Sequence, residues 1–174
     1  MHAPPKKPPP RTSRRQARPV SDHFDGRRFF NPTLEPDFSP GFRKLHRMLR
    51  EPRSGWPRKV ENTGVPRLHG PLAGDEVAIT FVGHATFLIQ IDGLAILTDP
   101  IWSERAGPLN RVGPKRVRKP GVALEALPKI DLVLLSHNHY DHLDKATLKA
   151  LRRAHAPKIA FAAGDMRLVR PIGF

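Results

Sequence analysis

Four residues able to hold a metal fall within six positions of SHNHYDHLD, residues 136 to 144: His137, His139, Asp141 and His142. Imidazole nitrogens and carboxylate oxygens bind zinc and similar divalent ions, and the imidazoles must be neutral to do so. In an extended segment side chains two apart point to one side, so His137 and His139 can grip one ion. After a turn, Asp141 and His142 can face a second. Two ions about 3.5 to 4 Å apart can share a bridging hydroxide and polarise a substrate oxygen, which is how such sites hydrolyse phosphodiesters and carbonyl compounds. Asp141 brings the negative charge to that centre and is the candidate catalytic residue. The chain has no cysteine, so thiolate zinc sites and disulfides are excluded and a transition metal must rest on His and carboxylate.

The elements that would position these residues are legible on both sides of the motif. Lys129 to Ser136, KIDLVLLS, reads as a buried strand that ends at the first ligand. Asp144 is placed to cap a helix, with Leu143 and Leu148 as a hydrophobic staple and Arg152 and Arg153 near its C-terminal end. His155 falls at the exposed end of that helix and Pro157 closes it. Lys158 to Ala163 then returns the chain to the sheet. Upstream, Val77 to Thr98 reads as two strands joined by a tight Asp92-Gly93 turn. A loop rich in Gly, Pro and Arg runs from Pro100 to Gly121. The order strand, ligand loop, helix, strand predicts an α/β fold.

Before residue 77 the character changes. HFDGRRFFNP, residues 23 to 32, predicts an irregular segment laid on a core. Phe42, Leu45 and Leu49 share one face of a short amphipathic helix that Pro52 and Pro57 stop. Residues 1 to 20, dense in Pro, Lys and Arg, read as a disordered tail. The expected organisation is therefore a tail (1–20), an extension (21–76) and a catalytic-type domain (77–174), about one domain for 174 residues.

Charge is concentrated at the start: residues 1 to 60 hold 15 Lys and Arg against 5 Asp and Glu, in a chain of net charge +14. Such a leader suits attraction to anionic headgroups or nucleic acid, at about 1 kcal/mol per basic residue near an anionic surface, and a solvated tail is the alternative. It lacks an apolar stretch, so neither a secretory signal nor, despite Arg14 and Arg15, a twin-arginine signal is expected. Val77 to Thr80 and Leu132 to Leu135 fall far short of the roughly 20 apolar residues a membrane helix needs. The expectation is a cytoplasmic protein with peripheral contact at the inner face of the membrane, no transmembrane segment and no nucleic-acid partner.

HxHxDH after a strand resembles the metallo-β-lactamase superfamily. TFVGHATFLIQIDGLAILTDPIWSERAGP (80–108), GPKRVRKPG (113–121) and LPKIDLVLLSHNHYDHLD (127–144) are similar to its N-acyl-phosphatidylethanolamine phospholipase D-like branch, and the likeness covers about residues 21 to 163. The resemblance implies an αββα sandwich, two zinc ions and hydrolysis of a phosphodiester phospholipid. Relatives with the same ligands cleave lactones, other esters or RNA, so substrate is not fixed by the fold. The family's later ligands, a His, a bridging Asp and a final His, find no match among His155, Asp144 and Asp165, and GDMRLVRPIGF ceases to look like the family. That leads to the expectation of an N-terminal half of the sandwich and of its site, or of a non-catalytic remnant that binds membrane or nucleic acid through its leader.

Further residues draw weaker expectations. His84 in GHAT matches a family motif, but a lone His between core strands is more often packed and hydrogen-bonded, so it is left outside the ligand set. Asp99 in LTDP is placed to accept hydrogen bonds from the metal loop or to fix its own turn. Lys115, Arg116 and Arg118 could hold a phosphate headgroup, the alternative being a solvated basic loop.

Overall fold

A computed structural model of the chain describes residues 19–33, 42, 46–47, 50, 55, 57–64, 66–70, 72 and 74–174. The chain divides into two compact units, Met1–Ser54 and Gly55–Phe174. Nearly all of the leader and the helix positions Leu45 and Leu49 lie outside the described residues, while Phe42, His46, Arg47 and Arg50 are helical. In the first unit, Phe24 stacks on Phe29 with ring centroids 4.6 Å apart, inside the irregular segment read from HFDGRRFFNP.

The second unit is a five-stranded sheet in sequence order: β1 (Val77–Gly83), β2 (Thr86–Ile91), β3 (Leu94–Thr98), β4 (Leu132–Leu135) and β5 (Lys158–Phe161). The first three strands form an antiparallel meander, and β4 and β5 join it in parallel. Three strands thus occupy Val77 to Thr98, where the sequence predicted two. Asp92 and Gly93 make the expected turn with φ of 48° and 72°, both positive as a type I′ hairpin requires. A second tight turn, at His84 and Ala85, splits what reads as one apolar strand; Gly83 and His84 carry φ of 147° and 55° there.

Alternation sets the two faces of the sheet. Leu88, Leu97, Val133 and Leu135 point inward and meet Leu148 and Leu151 of α1 (Lys145–Ala154) in one buried cluster. A short helix, α2 (Met166–Val169), and the 3-10 turn after it add Val169 and Ile172 to the same cluster. Arg152 Nε donates to Gly173 O at 2.8 Å, tying the closing stretch to α1. On the other face, Val77, Ile79, Phe81 and Leu94 are exposed, and no element among the described residues covers them. The architecture is therefore α/β, one sheet with helices on one side. No helix among the described residues is long and apolar enough to cross a membrane.

Opposite faces of one sheet should respond differently to truncation. Leu88→Ala, at a fully buried position, is expected to cost about 2 to 5 kcal/mol in urea unfolding. Ile79→Ala, on the exposed face, is expected to change stability by less than about 0.5 kcal/mol and to lower binding of the dye ANS. Equal losses of stability would mean that the outer face is covered.

Candidate metal centre

Because β3 and β4 run parallel, their C-terminal ends meet on one rim. Asp99 follows β3 and its N–H donates to Leu134 O at 2.8 Å, carrying the ladder one step further. Its carboxylate, buried at that rim, accepts from Ser136 N (2.8 Å), Ser136 Oγ (2.7 Å) and His142 Nδ1 (2.9 Å). One side chain thus fixes the start and the end of the ligand loop.

These bonds also decide which imidazole nitrogens face outward. The single Ser136 hydroxyl hydrogen goes to Asp99, so the 2.9 Å contact between Ser136 Oγ and His137 Nδ1 must be donated by the histidine. His137 and His142 therefore both carry their proton on Nδ1 and present a lone pair on Nε2. His137 Nε2 lies 3.1 Å from His139 Nδ1, so these two side chains converge, as the spacing predicted. The backbone turn in which His142 N and Leu143 N both donate to His139 O brings His142 back, with its ring centroid 3.9 Å from that of His137.

Asp141 faces two imidazoles: its Oδ2 is 3.0 Å from His84 Nε2 and 3.6 Å from His142 Nε2. Burial alone would push this carboxyl up, but its own backbone N–H and the hydrogen bond with His84 hold it below the ordinary carboxylate range. The donor set suits a divalent ion, since neutral imidazole nitrogens and an ionised carboxylate oxygen converge at spacings set by the fold. His84 comes from the turn between β1 and β2 rather than from a packed strand, and its side chain is half exposed. Sequence reasoning left it outside the ligand set. The signal was Gly83 directly before it, a turn residue inside an apolar run.

Asp144 anchors the exit of the loop. As N-cap of α1 it accepts from Ala146 N and Thr147 N, and it also accepts from Thr147 Oγ1, Asn110 Nδ2, Trp102 N and Ser103 N. Burial raises this carboxyl, yet the bonds from Thr147 and Ser103 outweigh it and the pKa ends below the usual value. The same carboxylate thereby clamps the long β3–β4 crossover against the helix. Arg116 works there too, donating through Nη2 to Ile101 O at 2.8 Å and through Nε to Ser103 O at 3.3 Å. Lys115 pairs with Glu104 at 3.6 Å, and Arg118 is exposed. All three basic residues border a cleft of about 590 Å³ that reaches His139 and Asp141. His155 is half-buried as the C-cap of α1, and its Nδ1 accepts from Ile130 N at 3.3 Å, which corrects its expected exposure.

The model of the beta-lactamase superfamily domain matches residues 78–171. The chain belongs to the metallo-β-lactamase superfamily. The match extends to residue 171, into the closing stretch that the sequence reading set apart, in keeping with Val169 being a core residue. An uncharacterised protein of Mycobacterium tuberculosis is 52% identical over 75 residues, covering 43% of this chain and 20% of that protein. N-acyl-phosphatidylethanolamine-hydrolyzing phospholipase D 1 of Caenorhabditis elegans is 46% identical over 72 residues, covering 41% of this chain and 20% of the relative. The matched segment thus spans about one fifth of these curated relatives. Among solved structures, an isothiocyanate hydrolase from Delia radicum gut bacteria is 31% identical with a TM-score of 0.43, over 55% of this chain and 38% of that one.

Asp144 gives the superfamily site a measurable pH dependence. Its folded pKa is lowered, so the stability it contributes is present above the unfolded value near 4 and is lost as pH falls through the folded value. Asp144→Asn is expected to lower stability at pH 7 by roughly 2 to 4 kcal/mol and to flatten the fall of melting temperature between pH 5 and 3, read by circular dichroism.

Proposed function

We propose that this chain carries part of a two-metal hydrolase centre acting on a phosphodiester, with an N-acyl-phosphatidylethanolamine-like phospholipid as the substrate class and zinc as the metal. The observation that carries this reading is the convergence of His137 with His139 and of Asp141 with His142 at the rim where β3 and β4 end, with outward lone pairs fixed by Asp99 and Ser136. His137 and His139 would hold one ion, Asp141 and His142 the other. When bound, the ions supply Lewis acidity and a nucleophile at neutral pH.

The chain's own residues do the rest. Asp99 holds His142 in the tautomer that presents Nε2, in the manner by which carboxylates orient ligand histidines. Asp141, kept ionised, contributes the negative charge that balances the site. Arg118 and Lys115 border the cleft and would meet a substrate phosphate there, whereas Arg116 has committed donors to backbone carbonyls and acts by holding the cleft wall. The substrate class is supported by the name of the Caenorhabditis elegans relative and by that of a Saccharomyces cerevisiae relative 37% identical over 105 residues, an N-acyl-phosphatidylethanolamine-hydrolyzing phospholipase D.

The test is hydrolysis of bis(4-nitrophenyl) phosphate and of N-acyl-phosphatidylethanolamine vesicles by metal-stripped protein reloaded with zinc. Turnover should return with zinc, vanish with chelator and fall at least 100-fold in His139→Ala, on the order of the loss caused by disturbing a metal site. Arg118→Ala should raise KM for the lipid up to about tenfold with little change in kcat, as expected for uniform binding. Hydrolysis that survives both chelation and His139→Ala would overturn the reading.

A further inference from the structure

His84 is the one member of the histidine cluster that lies outside the HxHxDH segment, and three observations set its role. It sits in a locked turn: Thr98 Oγ1 donates to Ala85 O at 2.8 Å, Phe87 N donates to Thr98 Oγ1 at 3.0 Å, and Thr86 Oγ1 donates to Asp99 O at 2.7 Å. The turn is therefore tied to the same Asp99 that orients the ligand loop. His84 itself takes a left-handed conformation at φ 55°, uncommon for a residue with a side chain and worth its cost where a side chain must be aimed.

The second observation is distance. The donor atoms of His84, Asp141 and His142 all lie within 4.8 Å of one another, with Asp141 Oδ2 3.0 Å from His84 Nε2 and 3.6 Å from His142 Nε2. Ligand bonds of 2.0 to 2.2 Å at tetrahedral angles separate two donors by about 3.4 Å. The two short distances bracket that spacing. No other group of three such donors comes together among the described residues.

The third is the protonation pattern. With the His142 proton committed to Asp99, His142 Nε2 and Asp141 Oδ2 face each other as two acceptors. A cation between them turns that repulsion into binding, and His84 Nε2 lies 3.0 Å from the same carboxylate oxygen. Asp141 and His142 alone would give an ion two protein ligands, whereas a third completes the number that catalytic zinc sites use.

We infer that His84 is a third protein ligand of the ion held by Asp141 and His142, so that this ion joins the β1–β2 turn to the loop after β4. The assignment rests on the metal-centre reading above. It deepens it by giving one ion three ligands from two segments 57 residues apart.

Cadmium-113 loaded into the whole chain, with histidine labelled with nitrogen-15, tests it without reference to turnover. The expected result is one cadmium resonance coupled to two imidazole nitrogens from His84 and His142, and reduction of that coupling to one nitrogen in His84→Asn. Asparagine tolerates the left-handed turn, and the wild-type coupling pattern decides the matter even if the variant does not fold. The variant should also bind cobalt at that site at least tenfold more weakly. Weaker binding alone would follow equally from loss of a hydrogen bond to Asp141, so the coupling is the deciding readout. A cadmium resonance coupled to His142 but not to His84 overturns the assignment and leaves the metal centre standing. No uptake of cadmium, cobalt or zinc by the wild type overturns both.

Discussion

The carboxylate of Asp99 is the constraint on which the site depends. It sits where two parallel strands end, buried, and spends its oxygens on Ser136 and His142. Without it the ligand loop has no fixed start, His142 has no reason to choose one tautomer, and His137 loses the oriented hydroxyl against which its own proton is placed. Parallel pairing of β3 and β4 is what brings residues 99 and 136 to one rim, so the topology of the sheet and the chemistry of the loop are one arrangement. Asp144 repeats the device eight residues past Ser136, gathering donors from the helix start and from the crossover around a second buried carboxylate.

Much of this was legible in the residue order, for identifiable reasons. An apolar strand running into SHNHYDHLD, an aspartate three residues before Thr147 and a proline at 157 are strong local signals, and the helix, its cap and the convergence of His137 with His139 follow from them. Asp92-Gly93 announced its turn because both positions need positive φ. The other turn was hidden. His84 adopts the same unusual backbone without being asparagine, aspartate or glycine itself, so Gly83 before it is the one local cue, and Thr86, Thr98 and Asp99 supply the support from elsewhere in the chain. Reading the run as one strand turned a rim residue into an interior one. Arg116 was legible as a cation but not as a brace, since its partners are carbonyls 13 and 15 residues away.

The apolar outer face belongs to the same account. Val77, Ile79 and Phe81 alternate with Thr80 and Val82 in the pattern of a strand with both faces designed for burial, which is also how the parallel strands of layered α/β folds read. In a sheet whose inner side already holds α1, the sequence has specified a second packing surface in the same residues that set the register of the first.

The crossover between β3 and β4 has a kinetic meaning. Parallel neighbours need a long connection, and here residues 99 to 131 provide it with only two 3-10 turns rather than a helix. The meander β1–β2–β3 closes through two tight turns and pays little chain entropy, whereas β4 can dock only after that long segment has been drawn in. Every hydrogen bond from Asp99 to the ligand loop lies on the far side of this step. By this chain-entropy argument the histidine cluster is expected to assemble after the meander, and its formation would report that the long β3–β4 connection has closed.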